Sequence, residues 1–224
     1  MKKLVIAIDG PAASGKTTTA ALVAERLGYL YVDTGAMYRA LALKAIEAGV
    51  RPDDAPALEA LARGTEIALR AEGRRARIFL DGRDVTGEIR RPDVSDGASR
   101  IAEHPGVRAR MVEMQRALGA EGGVVMEGRD IGTVVFPDAD VKIFLVASAG
   151  ERARRRPDEL FAKGTAPELE SVRREIEERD RRDSGRAASP LKRAEGAVEI
   201  DTTELSIDEQ VKAVIREAER ALSR

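Results

Sequence analysis

Short apolar runs alternate with amphipathic stretches along the first part of the chain. Leu4 to Ile8 is continuous, rich in β-branched residues and ends at Asp9-Gly10, a pattern that predicts a strand buried on both faces. Residues 17–27 then carry helical periodicity, 29–32 indicate a second strand, and 35–48 indicate a second helix. This order of strand, helix, strand and helix predicts a parallel sheet with right-handed crossovers.

The polarity pattern changes between residues 64 and 86. Residues 65–69 and 77–80 alternate between polar and apolar positions on either side of a turn-prone segment at 71–74, which predicts a small antiparallel insertion. The pattern of a parallel sheet then returns. Its strands are predicted at residues 124–126, 141–146 and 198–200.

Between the first strand and the first helix, residues 10–17 read GPAASGKT and satisfy the pattern G-x-x-x-x-G-K-[ST]. Glycines let successive backbone N–H groups point around an anion, and the helix that follows adds the positive end of its dipole. We expect Lys16 to reach the β- and γ-phosphates of ATP as a catalytic residue, and the Thr17 hydroxyl to bind Mg²⁺. A glycine-containing turn with a chance lysine is the alternative, but the position between a buried strand and a helix argues against it. The predicted ATP-binding residues are Gly10, Pro11, Ala12, Ala13, Ser14, Gly15, Lys16, Thr17 and Thr18.

Two further segments place polar side chains directly after predicted strands, where ligands bind in open α/β sheets. In the first, Tyr38 and Arg39 lie at the start of the second helix, and an arginine there is suited to bidentate capture of a second phosphate. A surface arginine beside a packed tyrosine is the alternative. In the second, Glu127 is placed to hold a water on Mg²⁺, and Arg129 is placed to meet phosphate oxygens.

Residues 151–186 are densely charged and predict a helical lid. An apolar stripe at helical spacing, formed by Leu169, Val172 and Ile176, continues onto charged side chains and so directs them toward the core. The alternative is a solvated face with salt bridges four residues apart. Arginines brought in by lid closure stabilise the charge of phosphoryl transfer, and we expect one or two from the run at 152–156 to do so, with Arg155 as the candidate. The charged residues on the stripe are Arg179, Asp183 and Arg186.

Composition excludes several other kinds of chemistry. The chain has no Cys and a single His, which excludes disulfides and thiolate chemistry and argues against a His-based metal site. Its formal net charge of -1 gives no overall basic field for nucleic acid, and aromatic residues make up 3% of it. Without a signal-peptide pattern or an apolar stretch long enough to span a bilayer, we expect a cytoplasmic enzyme. We also expect a monomer.

The motifs combine into a pattern that resembles the bacterial cytidylate kinase family. The resemblance rests on IDGP at residues 8–11 with the P-loop, DTGAMYR at 33–39, GRDIGTVVFP at 128–137, and ERDxxDxxR at 178–186. It covers nearly the whole chain, and the antiparallel insertion also resembles that family. One departure is Glu127, where the family pattern has Asp before Gly-Arg-Asp.

The resemblance implies ATP-dependent phosphorylation of CMP and dCMP with Mg²⁺, and it implies a role for each candidate side chain. The CMP phosphate would be bound by Thr34, Tyr38, Arg39 and Arg129; the cytosine by Ser99, Arg108 and Asp130; the ribose by Arg179 and Asp183. Arg186 would lie near the phosphates. The expected catalytic residues are therefore Lys16, Arg129, Arg186 and Arg155.

The predicted fold class is α/β, a P-loop NTPase fold with a parallel central sheet, a small antiparallel β insertion and a helical lid. We expect a core at about residues 1–34, 120–150 and 187–224, a monophosphate-binding region at about 35–119, and a lid at about 151–186. Rival functions are a P-loop kinase for another small acceptor such as UMP, and a nucleotide-dependent switch protein. A GTPase switch would need an N-K-x-D motif, which the sequence lacks.

Overall fold

The computed structural model describes residues 3–72, 75–161 and 169–223. Within these ranges the chain combines the strands of a central sheet with single or paired helices and one short β insertion. The elements are, in chain order, β1 (Val5–Asp9), α1 (Lys16–Leu27), β2 (Leu30–Asp33), α2 (Thr34–Glu47), α3 (Ala55–Arg63), β3 (Ile67–Glu72), β4 (Arg75–Leu80), β5 (Arg83–Asp84), α4 (Pro92–Ile101), α5 (Pro105–Gly119), β6 (Val124–Gly128), β7 (Val141–Val146), α6 (Ala149–Phe161), α7 (Leu169–Gly185), β8 (Val198–Asp201) and α8 (Ile207–Leu222).

The central sheet has five parallel strands in the order β2-β6-β1-β7-β8. Its register pairs Asp9 with Gly128 and Asp33 with Glu127, so the carboxyl ends of β1, β2 and β6 meet at one edge. The predicted parallel sheet is confirmed. The polar residues that follow these strands are brought together by the sheet itself.

Both faces of the sheet are covered by helices, which is why its strands read as continuous apolar runs. On one face the buried cluster includes Met37 and Leu41 of α2. On the other it includes Val23 of α1 with Val211 and Val214 of α8. The side chains on the two faces of the sheet therefore pack into two separate apolar layers. The polar residues at the carboxyl ends of the strands lie at the edge between these layers.

The predicted antiparallel insertion is confirmed by strands β3, β4 and β5. The first pair has a register in which Ile67 lies opposite Leu80. Residues 73 and 74, part of the predicted turn, lie outside the described residues. The third strand, Arg83–Asp84, was not predicted, because two residues carry no polarity pattern.

The lid contains α6 and α7, which pack together and bury Ala153, Val172 and Ile176 against Ala13 of the P-loop. The predicted inward stripe is thus confirmed for Val172 and Ile176. Residues 162–168 and the side chains of Arg156 and Leu169 lie outside the described part of the chain. No helix among the described residues is long and apolar enough to cross a membrane.

Candidate functional site: a phosphate cradle beside a buried polar cavity

The P-loop between β1 and α1 has the backbone shape of an anion cradle. Gly10 has φ 150°, and a Cβ there would lie 2.1 Å from the Leu145 carbonyl oxygen, so only glycine fits. Ala13 also has a positive φ of 58°. Such alternation of backbone conformation turns consecutive N–H groups inward, which favours a bound phosphate over any uncharged group.

Lys16, at the start of α1, is buried although it carries an ammonium group. Its Nζ donates to the Pro11 carbonyl oxygen at 2.5 Å and to Ser14 Oγ at 3.3 Å, so it lies folded over the cradle. Burial, and then the positive charge of Arg129, lower the pKa of Lys16 to about 7. A cation held in this way is poised to pair with a polyanion, because the polyanion would supply the missing counter-charge.

Oxygen ligands suited to Mg²⁺ meet beside the cradle. Glu127 is buried, accepts a hydrogen bond from Thr17, and accepts another from the Tyr31 hydroxyl at 2.7 Å. Burial, and then the Asp33 carboxylate, raise the pKa of Glu127, whereas Lys16 lowers it. The described residues contain no cluster of three His, Cys, Asp or Glu, so a metal here would take its other ligands from phosphates and water, as Mg²⁺ commonly does. Thr17 and Glu127 fit that role.

A polar cavity of about 60 Å³ opens at the same edge of the sheet. It lies between α2, α4, the segment after β6, and α7 of the lid. Every residue that the sequence predicted to bind CMP lines this cavity. The lining residues are Thr34, Gly35, Tyr38, Arg39, Ser95, Ala98, Ser99, Ala102, Arg108, Gly128, Arg129, Asp130, Arg179, Asp183 and Arg186.

One end of the cavity carries buried polar groups without partners. Arg108 is buried, pairs with the Asp130 carboxylate, and donates to the Ala102 carbonyl oxygen at 3.1 Å. Its guanidinium lies 5.6 Å from the centre of the Tyr38 ring. Neither Ser99 Oγ nor the Tyr38 hydroxyl has a hydrogen-bond partner among the described residues. Buried hydroxyls are rarely left unpaired, so these point to a bound ligand.

The lid side of the cavity is held by charge pairs. Arg129 Nε donates to Asp183 Oδ2 at 2.8 Å, and Arg186 Nε donates to the Asp183 carbonyl oxygen at 3.3 Å. Burial raises the pKa of Asp183, but Arg129, Arg179 and Arg186 together outweigh it and lower that pKa. Asp183 is therefore an anion that neutralises several of the cations around the cavity.

Hydrogen bonds and an ion pair also fix the residues that follow β2. Thr34 Oγ1 donates to the Glu127 carbonyl oxygen at 2.7 Å, which ties the start of α2 to β6. Asp33 caps α2 through the Ala36 N–H and also pairs with Arg39 at 2.8 Å. The guanidinium of Arg39 is thus directed to the cavity mouth by a carboxylate that a phosphate could replace.

The predicted lid arginines occupy different positions. Arg186 lies in the cavity, but Arg155 lies outside it and donates to Thr202 Oγ1 at 3.0 Å and to the Thr202 carbonyl oxygen at 2.6 Å. The buried arginine of α6 is Arg152, whose Nη1 contacts the Ala12 carbonyl oxygen at 3.2 Å and Asp180 at 2.5 Å. The catalytic role of Arg155 stays a prediction.

Several residues at this edge of the sheet were not predicted from the sequence. Ser95, Ala98 and Ala102 line the cavity together with Ser99, and their spacing of three and four residues on one face of the chain segment was a usable signal. Tyr31 and Asp9 gave no such signal. Asp9 is 3% exposed, and burial raises its pKa to about 6 against the lowering effect of hydrogen bonds from Gly132 and Ile131.

Comparison with known proteins agrees with this geometry. A family model described as Cytidylate kinase matches residues 6–220. Proteins named Cytidylate kinase include one from Geobacillus sp. (strain WCH70), 53% identical over 210 residues and covering 94% of each chain. Another, from Pelotomaculum thermopropionicum, is 55% identical over 212 residues, 94% of this chain and 93% of its own. A third, from Bacillus pumilus, is 52% identical over 219 residues, 98% of this chain and 97% of its own. Because this family model matches almost the whole length of the chain, the chain belongs to the cytidylate kinase family.

Proposed function

We propose that this chain transfers the γ-phosphoryl group of ATP to CMP and dCMP, giving CDP or dCDP and ADP. The observation that carries the proposal is the cavity beside the P-loop, in which Asp130 and the unpaired hydroxyls of Ser99 and Tyr38 lie among several arginines. A second polar ligand with a negative charge fits such a cavity better than water does. The names of the relatives support CMP as that ligand.

On the donor side, the P-loop amides would hold the β- and γ-phosphates and Lys16 would neutralise them. Thr17 would bind Mg²⁺ directly, and Glu127 would bind it through a water. The metal, when bound, supplies positive charge that offsets the charge developing on the transferred group. The family membership supports ATP as the donor.

On the acceptor side, Arg39 and Arg129 would hold the CMP phosphate with Thr34 and Tyr38, so that one of its oxygens attacks in line and ADP leaves. The cavity of about 60 Å³ is far smaller than a nucleotide site, for which several hundred Å³ is usual. Binding must therefore widen it. The pairs Arg39–Asp33 and Arg129–Asp183 would then exchange a carboxylate for the phosphate.

The base would be recognised by Asp130 with Ser99 and Arg108. Cytosine offers an amino donor where uracil has a carbonyl acceptor, and a carboxylate accepts only from the former. Arg108 already pairs with Asp130 and would hold its carboxylate in place at the base site. A site built on such hydrogen bonds can reject the wrong base by roughly four orders of magnitude.

The lid would supply the remaining contacts to the ribose and the phosphates. Arg179 and Asp183 would contact the ribose, and Arg186 and Arg155 would approach the phosphates when the lid closes. The division into a core, a monophosphate-binding region at about 35–119 and a lid at about 151–186 is part of this proposal. A cytoplasmic monomer without nucleic-acid or membrane partners is also proposed.

A panel of monophosphates tests the function. In a coupled assay that reports ADP, turnover with CMP and dCMP should exceed turnover with UMP, AMP and GMP at equal concentration. A kinase for another acceptor would give its best rate elsewhere in the panel. A nucleotide-dependent switch would hydrolyse ATP slowly, and none of the monophosphates would change that rate.

The lowered pKa of Lys16 predicts that ATP binding takes up a proton. With a pKa of about 7 in the unliganded enzyme, Lys16 is mostly neutral at about pH 8 and becomes charged against the phosphates, an uptake of roughly 0.9 proton. Because the complex binds more protons than the free enzyme, ATP affinity should fall as pH rises above about 7. Calorimetry in buffers of different ionisation enthalpy measures the uptake. Persistence of the full uptake in Lys16→Met would assign it to another group.

Substrates should also protect the lid from hydrogen exchange. Among the described residues, the lid contacts the core through a small apolar cluster, the charge pairs Arg129–Asp183 and Arg182–Asp96, and hydrogen bonds from Arg152 and Arg155. Few of these contacts are apolar, so we expect the lid to be less stable locally than the central sheet. A non-hydrolysable ATP analogue with CMP should supply counter-charges and slow exchange across 151–186. Strand β1, buried in both states, is the internal control. Equal protection of the lid with and without ligands would make it a fixed structural element.

A further inference from the structure

The carboxylate of Asp9 makes an unusual pair of contacts across the sheet. Asp9 is the last residue of β1 and directly precedes the P-loop, yet its side chain turns toward the segment after β6. Its Oδ1 accepts from the Ile131 N–H at 2.9 Å and its Oδ2 accepts from the Gly132 N–H at 2.7 Å. Both oxygens of a buried carboxylate are thus committed to adjacent backbone amides.

Those amides begin a short helical turn, residues 131–135, of which Asp130 is the N-cap. An aspartate at an N-cap ordinarily folds its side chain back to accept from the first free N–H groups of its helix. Asp130 makes no such capping bond. Its backbone carbonyl instead accepts from the Val134 N–H at 2.8 Å, and its carboxylate pairs with Arg108 in the cavity.

The other end of the turn is held separately. Arg116, an exposed residue of α5, donates to the carbonyl oxygens of Val134 at 2.7 Å and Val135 at 3.0 Å. The turn is therefore clamped at both ends by side chains from other elements. Of these, Asp9 alone occupies the amides for which the Asp130 carboxylate would compete.

We propose that Asp9 is a positioning residue for base recognition. By taking the amides at the start of the turn, it leaves the Asp130 carboxylate free to pair with Arg108 and to face the cytosine. The inference rests on the proposed function, since it explains how Asp130 is made available for CMP. It also links the strand that ends in the P-loop to the residue that reads the acceptor.

Asp9→Asn tests the inference. An amide of the same shape keeps one oxygen acceptor, but its NH₂ faces the other backbone N–H, and that N–H becomes available to Asp130. The ratio of kcat/KM for CMP to kcat/KM for UMP should fall by about tenfold, the scale of one misplaced hydrogen bond. Both ratios are measured at the same saturating ATP concentration, so an effect of Asp9 on the neighbouring Lys16 is shared by the two acceptors and cancels from the ratio.

Thr133→Val is the matched control within the same turn. Thr133 lies outside the cavity lining, and its hydroxyl has no hydrogen-bond partner in the described part of the chain. Its removal therefore leaves both clamps in place and should leave the ratio unchanged. Should Asp9→Asn fail to fold, Gly132→Ala replaces it. A Cβ at residue 132 would lie 3.3 Å from the Ala194 Cβ and 3.4 Å from Asp9 Oδ2, so the turn must shift slightly and its bonds to Asp9 should lengthen. The ratio should then fall in the same direction, by less than in Asp9→Asn.

These measurements separate failure of the inference about Asp9 from failure of the proposed function. If the unmodified enzyme does not prefer CMP, the proposed function is wrong. If it does, and a folded Asp9→Asn or Gly132→Ala lowers both substrates equally, Asp9 has only a structural role and the inference is overturned. A selective loss of CMP preference, absent from Thr133→Val, supports it.

Discussion

Lys16→Met is expected to lower kcat by at least about three orders of magnitude while the fold stays intact. The ammonium group is the only charge of the P-loop that lies over the cradle, where Nζ contacts Pro11 and Ser14. Methionine fills a similar volume in this buried position without the charge. The transferred phosphoryl group would then lose a preorganised counter-charge in a site of low dielectric. Initial rates at saturating ATP and CMP measure the loss.

The matched control is Lys212→Met on α8. Lys212 is exposed and pairs with Asp208 on the surface of α8, so its removal should leave kcat unchanged. Circular dichroism and thermal melting of both variants check the fold. More than about a tenth of the normal rate in a folded Lys16→Met would remove Lys16 from the chemistry.

Asp130→Asn is expected to weaken the preference for CMP over UMP strongly. The asparagine NH₂ can donate to the uracil carbonyl, whereas the carboxylate it replaces can accept only from the cytosine amino group. Against a starting discrimination of roughly four orders of magnitude, a fall of about a hundredfold in the ratio of kcat/KM values is expected. The ratio separates base recognition from general damage, because both substrates share the same phosphate and ribose.

Asp180→Asn provides the control for a lost charge pair. Asp180 contacts Arg152 in the lid and lies outside the cavity lining, so this variant weakens an ion pair without touching the base site. It should leave the ratio of CMP to UMP unchanged. Because Asp130→Asn also leaves Arg108 buried without its anion, melting temperatures should be recorded for both. An unaltered ratio in a folded Asp130→Asn would exclude Asp130 from base recognition.

Much of this architecture could be predicted because the signals are local. The strand of Leu4 to Ile8 is a continuous apolar run, and the glycines of the P-loop follow it directly. Residues that follow parallel strands meet at one edge of the sheet, so Arg39 and Arg129 could be placed near one another without knowledge of the fold. The inward face of the lid helix followed from the spacing of Val172 and Ile176.

The contacts that could not be predicted join residues far apart in the chain. The bond between Tyr31 and Glu127 crosses neighbouring strands, and the bonds from Asp9 to the turn depend on the register of β1 with β6. The lid arginines Arg152 and Arg155 have the same local sequence context. Arg152 contacts Ala12 of the P-loop, whereas Arg155 contacts Thr202 after β8, and periodicity alone does not show which helix position faces which of these segments.

The most direct test of the central claim is the fate of the γ-phosphate. The purified chain is incubated with Mg²⁺, CMP and ATP labelled at the γ position with ³²P, and the products are separated. The account predicts that label enters CDP in step with ADP formation, and that little inorganic phosphate appears. Label released as inorganic phosphate, at a rate that CMP does not change, would contradict it.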